Sequence, residues 1–256
     1  MFIVKIKNNM RVCILGESIT SLTLAKALVN QNIHVDVTSQ KKKIKIDKTR
    51  TLGVSKSNVK FFNDYIINIK NIIWKLNKIE IFTDNLEKEK VINFENNDEL
   101  FSIVQNNLLF DLLKKSLKKN KYYKKINFKK NIKYLEDYDL IINTDNSNFI
   151  ARKYFGKKII KKYNCLAYTT IIKHEKIKNN TATQIFTKKG PIAFLPISGN
   201  ETSIVYSLNN LQILKNEDIV NLIYKYNSKY KIKKIEKIKF FKLQSLNLRS
   251  YYYKNI

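Results

Sequence analysis

The sequence predicts an α/β protein built from two subdomains, and three observations carry that expectation. A strand–helix–strand pattern occupies residues 11–38, the strongest helical periodicity runs from Asp98 to Leu117, and four strand patterns follow one another between Leu166 and Leu208. An alternating α/β region followed by a mainly antiparallel one is the signature of two packed units rather than one repeated layer. At 256 residues the chain is long enough to bury a sizeable core, as one large domain or two interleaved ones.

Arg11 to Leu15 alternate too little for a half-exposed strand and suit a buried parallel one. Leu22, Ala25, Leu28 and Val29 then form a helical stripe through Gln31, and Asn32 to Thr38 reads as a second strand. Together they fit one βαβ unit, which needs about 30 residues. The lysine run after Gln40, with Lys41-Lys42-Lys43, reads as a solvated loop. From Asn58 to Leu76 the apolar spacing predicts a helix, with Trp74 in its core-facing stripe. Lys78 to Thr83 and Lys90 to Phe94 read as short strands. Asp98 to Leu117 reads as a helix because Leu100, Phe101, Val104, Leu108, Leu112 and Leu113 fall near one side, with Asn97 or Asp98 as its cap. Asp139 to Asn143 reads as another buried strand, followed by turn chemistry in Thr144 to Asn148. In the second part, strands are expected at Leu166 to Lys173, Thr183 to Thr187, Ile192 to Ile197 and Ser203 to Leu208, and a helix at Glu217 to Tyr226. Asn179-Asn180, Lys189-Gly190-Pro191 and Ser198-Gly199-Asn200 supply the turns between them.

The formal net charge is +28, yet the lysines are spread along the chain and mixed with Asn and Ile. Those residue types share A/T-rich codons, which accounts for much of the charge without a nucleic-acid partner. Specific nucleic-acid folds gather their charge on one face, and neither zinc-finger spacing nor an aromatic RNA-binding signature is present. A basic nucleic-acid-binding module is therefore the distant reading. The charge does favour weak, salt-screened attraction to anionic lipid. Cys13 and Cys165 lie far apart in apolar runs, as expected of buried thiols in a reducing compartment. The start MFIVKIKNNM is too short in its apolar part for a signal peptide, and no run approaches a membrane span. These features lead to the expectation of a cytoplasmic protein, peripheral at most to the inner face of a membrane. His34 and His174 read as packing or surface residues.

The segment VCILGESITSL, Val12 to Leu22, places a sharp turn between the first strand and its helix. A dinucleotide turn uses three glycines there, one for the turn, one for approach to the pyrophosphate and one for helix–strand packing. Here Gly16 holds the first position and Ser18 and Ser21 the others. Glu17 sets a carboxylate where a pyrophosphate would sit, and Ser39 stands where an acidic residue would take ribose hydroxyls. On these residues alone, a nucleotide turn and an ordinary strand–helix junction both remain open.

Further stretches follow in the order of one family. Arg50-Thr51-Leu52-Gly53-Val54-Ser55-Lys56-Ser57 resembles the arginine-led segment of the flavin-dependent aromatic hydroxylases, and Ile103 to Leu109, IVQNNLL, resembles a helix-opening segment of theirs. Tyr138 to Arg152, YDLIINTDNSNFIAR, resembles the family's strand ending in Gly-Ala-Asp-Gly with a later arginine. Gln184 to Ile197, QIFTKKGPIAFLPI, is similar to the Gln-x-Phe and Gly-Pro-x-Ala-x-Leu-Pro of the ubiquinone-biosynthesis branch. The resemblance covers nearly all of residues 11 to 249.

The resemblance implies an FAD-binding, Rossmann-like three-layer domain interleaved with a β-rich substrate domain. The boundaries it implies give residues 1–77 and 96–162 to the FAD-binding domain and 78–95 and 163–249 to the substrate domain, with 250–256 a truncated return to the first. It implies FAD as bound cofactor, NAD(P)H as reductant, and oxygen transfer to the aromatic ring of a polyprenylated ubiquinone precursor. In such enzymes the cofactor carries the chemistry and the protein positions it. Carried over by position, Gly16, Ser18, Ser21, Arg50, Gln105 and Asp145 are the cofactor-binding candidates, with Arg152 following. Pro191, Phe194 and Pro196 are the substrate-side candidates. No catalytic side chain and no metal site is expected.

The pattern departs from the family in two places. Asn143 and Asn146 replace the glycines flanking the alanine–aspartate pair, and the chain stops soon after Phe240 to Arg249, before the family's Gly-Asp-Ala-Ala-His segment. The leading expectation is thus an FAD-dependent monooxygenase, C-terminally short or a fragment. The alternative is an inactive member that acts as a scaffold for other quinone-biosynthetic proteins or binds a lipid intermediate.

Overall fold

The computed structural model describes residues 10–40, 46–84, 90–128, 132–209 and 211–256; the Lys41-Lys42-Lys43 run expected as a loop lies outside them. The first half runs β1 (Arg11–Leu15), α1 (Ile19–Val29), β2 (His34–Ser39), β3 (Thr51–Ser55), α2 (Lys56–Phe61), β4 (Ile73–Leu76), β5 (Lys78–Thr83) and β6 (Lys90–Glu95). It continues with β7 (Phe101–Gln105), α3 (Asn106–Lys118), β8 (Tyr123–Asn127), β9 (Leu140–Asn143) and α4 (Phe149–Tyr154). The rest is β10 (Lys158–His174), β11 (Thr181–Thr187), β12 (Gly190–Pro196), β13 (Glu201–Leu208), α5 (Asn216–Tyr226), β14 (Ile232–Ile235) and β15 (Lys239–Leu248).

Three sheets result. A parallel sheet has the order β8-β2-β1-β9, and a three-stranded antiparallel sheet the order β3-β7-β4. The largest has the order β14-β10-β13-β12-β11-β5-β6, with β15 also on β10. Central β1 explains its own sequence: Val12 and Ile14 face α1 and α3, while Cys13 and Leu15 face Leu135, Ile141, Ile150 and Phe155. Both faces are covered, so no alternation survives. Helices α1 and α3 form the middle layer, and Val104 of β7 joins the same core from the three-stranded sheet. On its other face, Ile103 and Leu76 meet Ala182 and Leu195 of the large sheet. Helix α5 covers the far side of that sheet through Ile219 and Ile223.

Two expected helices are corrected. Between Asn58 and Leu76, α2 passes into a π-helical turn at Phe62–Ile66 and ends there; β4 follows. The Asn63 side chain accepts from the Ile69 amide (2.9 Å) and Asn68 from Lys70 (3.0 Å), turns that compete with helix continuation. Trp74 sits on β4, where its indole N–H donates to the Asn179 carbonyl at 2.6 Å. Between Asp98 and Leu117, the first third is β7 and only the remainder is α3. Residues Ser102, Ile103 and Val104 are all buried, a short run that periodicity cannot separate from a helical turn. Gln105, extended at φ −76° and ψ 133°, is the helix boundary, so neither Asn97 nor Asp98 caps it. Strands β3, β8, β14 and β15 carry no clear sequence signal and form as partners of better-marked neighbours.

Cys13 is fully buried, and burial together with nearby Asp36 pushes its thiol up to about 12. Titration of the native protein with a thiol reagent at pH 8 is expected to find one fast thiol, Cys165, and a second only after denaturation. Two fast thiols in the native state would contradict this core.

Candidate functional site

The turn after β1 is built by close approach. The Gly16 amide donates to the Thr38 carbonyl at 2.7 Å, and its φ of +122° is unfavourable for any residue with a Cβ. A Cβ at Gly16 would lie 2.3 Å from Thr144 Oγ1 and 3.4 Å from the Asp145 amide nitrogen. The glycine is thus required by the neighbouring turn after β9.

The two serines lock that approach. Thr144 Oγ1 donates to the Leu15 carbonyl at 3.0 Å, so Ser21 Oγ donates to Thr144 (2.7 Å) and Ser18 Oγ to Ser21 (2.9 Å). The backbone completes a capping box, with Ser21 N donating to Ser18 Oγ and Ser18 N to Ser21 Oγ. Both hydroxyls are consumed by the fold. Ile19 and Thr20, in the first turn of α1, line a cavity of about 680 Å³ with Gly16, Ser18, Arg50 and Asp145. First-turn amides have no acceptor within their own helix and lie at its positive end.

Glu17 also faces this cavity, but it does not act as a free negative charge. Its side chain is 2% exposed and sits between Lys125 Nζ at 2.5 Å and Lys114 Nζ at 3.3 Å. Burial and the Glu17 charge push the nearby Tyr123 hydroxyl up to about 12. Opposite, the Asn106 amide donates to the Arg50 carbonyl at 3.0 Å, while its side-chain Oδ1 is buried without a partner. Arg50 stacks its guanidinium on Phe241 of β15, 4.5 Å from the ring centre.

A second cavity of about 850 Å³ shares Ile46 and Asp47 with the first and is lined by Gln105, Thr49, Ile171 and Lys173. The Asp47–Thr51 segment between them is clipped to the large sheet. Thr49 Oγ1 lies 2.9 Å from Thr169 Oγ1, and Thr51 Oγ1 donates to Ser203 Oγ at 3.4 Å.

Of the sequence-derived candidates, Gly16, Ser18, Arg50 and Asp145 meet in one cavity, and Gln105 lines the adjoining one. Ser21 lies beneath the turn, fully buried. Asp145 spends one carboxylate oxygen on the Ser147 amide (2.9 Å) and hydroxyl (2.6 Å). Arg152 is elsewhere, lining a third cavity beyond β9. Pro191, Phe194 and Pro196 line none of the three. Phe194 packs under α5 beside Ile219 and Tyr230, and Pro196, two residues on, shares that face. Pro191 shares the opposite face with Leu195, which meets the three-stranded sheet. Sequence reasoning missed Asn106, Thr144 and the Glu17–Lys114–Lys125 cluster; the strand–helix break at Gln105 hid the first. His34 stacks edge-on against Tyr122, and buried His174 is held between Thr202 and the Glu175 carbonyl.

No protein-family model matches the sequence, and no curated protein is similar to it in sequence. Solved structures are similar in fold. The p-nitrophenol 4-monooxygenase PnpA from Pseudomonas putida DLL-E4 superposes with a TM-score of 0.74 at 8% identity, over 96% of this chain and 71% of that one. The 2-methyl-3-hydroxypyridine-5-carboxylic acid oxygenase gives 0.74 at 12% identity, over 97% and 74%. The flavin-dependent monooxygenase PieE, in complex with FAD and substrate, gives 0.73 at 10% identity, over 97% and 52%. The chain therefore has the α/β fold of FAD-dependent monooxygenases.

Two variants test the turn. Gly16→Ala is expected to lose about 2 kcal/mol in urea denaturation, from the positive φ and the clash with Thr144. Glu17→Gln, which frees Lys114 and Lys125, is expected to tighten pyrophosphate binding about fivefold by calorimetry, roughly the effect of one partly screened charge. Unchanged binding would place the anion elsewhere.

Proposed function

We propose that this chain binds FAD in the cavity between the Gly16 turn and Arg50. In this reading it hydroxylates the aromatic ring of a polyprenylated ubiquinone precursor, with NAD(P)H as reductant and oxygen as co-substrate. The observation that carries the flavin assignment is the cavity itself: the first turn of α1, a Glu17 paired with two lysines, Arg50 and Asn106 all line it. The fold shared with FAD-dependent monooxygenases supports it. The polyprenylated substrate and the reductant rest on the Gln184–Ile197 resemblance.

The residues present fit the cofactor. The Ile19 and Thr20 amides, at the α1 N-terminus, would hold the pyrophosphate. Arg50 adds a cation at the same cavity, held in place by Phe241. Asn106, in the cavity wall, would meet the cofactor with its side-chain amide, and the remaining Asp145 oxygen would accept from a sugar hydroxyl. The adjoining cavity, bounded on one side by the Thr49–Thr169 clip, offers room for a ring system. Once bound and reduced, FAD supplies the activation of oxygen. A second reading, a non-catalytic relative, is favoured by Asn143, whose side-chain oxygen fills out the turn by accepting from the Asp145 amide (3.2 Å) and from Asn148 Nδ2 (2.7 Å).

The purified protein, incubated with FAD and desalted, is expected to keep a near-stoichiometric flavin absorption band. Asn106→Asp, which adds a carboxylate to the cavity wall, should weaken FAD about tenfold. A polyprenylated phenol should stimulate NAD(P)H oxidation. Loss of all flavin on desalting would remove the enzyme reading and leave the non-catalytic one.

A further inference from the structure

The chain between Asn146 and His174 and again from Lys237 to Ile256 contains no Asp or Glu, although 21 acids are distributed over the rest. These two stretches meet in space. The first half of β10 pairs with the second half of β15, from Lys158↔Leu248 to Lys162↔Gln244, and makes a two-stranded ribbon. Residues Lys158 to Asn164 are all exposed. Lys157, Lys158, Lys161 and Lys162 come from one strand and its approach, and Lys242, Arg249 and Lys254 from the other and the tail. Among the described residues none of these seven forms a salt bridge, whereas Lys78, Lys90, Lys114, Lys125 and Lys173 do.

The same ribbon exposes large apolar side chains. Ile159 is 57% exposed and Ile160 44%, while in the tail Tyr251 is 69% and Tyr252 78% exposed. Beside them opens the third cavity, about 610 Å³, walled by Ile142, Phe155, Leu246 and Leu248. Its charged lining side chains are Arg152, Lys158 and Lys254, all cations. Exposed large apolar side chains beside an apolar cavity mark an interaction site. Cations around aliphatic and tyrosine side chains match the headgroup region of an anionic membrane, where tyrosines anchor and lysines meet phosphates. A nucleic-acid duplex would satisfy the cations and leave Ile159 and Ile160 in water.

We infer that the β10–β15 ribbon and the tail after it form a docking surface for anionic phospholipid membranes. The flavin cavity lies on the other side of β9 and shares only Thr144 and Asn146 with the apolar one. The inference therefore does not depend on flavin binding.

The test is cosedimentation of the full chain with vesicles of phosphatidylcholine, with or without phosphatidylserine. Binding to the mixed vesicles is expected to be about tenfold tighter or more, and to be lost in about 0.5 M salt. The triple variant Lys158→Glu, Lys161→Glu, Lys162→Glu should weaken it about tenfold. Lys115→Glu, Lys118→Glu, Lys119→Glu, with the same change of net charge on exposed sites at the end of α3 and just after it, should leave it within about twofold. Tyr251→Ser with Tyr252→Ser should weaken it about threefold at constant charge. Equal loss in the two triple variants would overturn the inference, because summed charge alone would then drive binding. So would equal binding to both vesicle types, or a ribbon variant that loses duplex DNA and keeps vesicles.

Discussion

The structure depends on one close approach, between the turn that leaves β1 and the turn that leaves β9. Gly16 has no Cβ because Thr144 occupies its place, and Thr144 ties back to Leu15 through both its amide and its hydroxyl. The chain of hydroxyls from Thr144 through Ser21 to Ser18 then fixes the start of α1. What glycines achieve in dinucleotide turns by absence of side chain, these serines achieve here by hydrogen bonding. The outcome is a helix N-terminus whose capping box is complete and whose first-turn residues Ile19 and Thr20 line the cavity.

Charge is arranged around that turn in the same economical way. A carboxylate at Glu17 would repel a phosphate, but Lys114 on α3 and Lys125 on β8 close on it from two elements. The cost of burying the Glu17 charge is offset by the two part-exposed lysines held against it. The same α3 begins at Asn106, so one helix supplies both the counter-ion for Glu17 and the orphaned acceptor opposite. The Thr49 clip sets the third wall and divides the space into two connected cavities.

Much of this architecture was legible in the chain. The unbroken apolar run Val12 to Leu15 belongs to a strand covered on both faces, and the stripe Leu22, Ala25, Val29 to a helix on one of them. Illegible were the places where one spacing suits two structures. Phe101 to Val104 fits a turn of helix by period and is a strand because β3 and β4 flank it. Ile66 to Ile73 keeps helical spacing across a bend that asparagine side chains impose. Gly190 survives in a glycine-poor chain for a backbone reason, since a Cβ there would lie 2.0 Å from the Ser207 carbonyl oxygen.

By itself the sequence determined the α/β class and the position of the β1–α1 turn, because local periodicity and residue type suffice for those; Gly16, Ser18, Arg50 and Asp145 came forward together only through the family resemblance. Only the tertiary structure decided what each of them does. It turned Ser21 inward, paired Glu17 with two lysines over 97 and 108 residues of chain, and set Phe194 under α5 instead of beside a cavity. It also joined two acid-free stretches into one exposed ribbon. Which side of a strand faces a ligand, and which charges meet, are settled by partners distant in sequence, and local pattern carries no record of them.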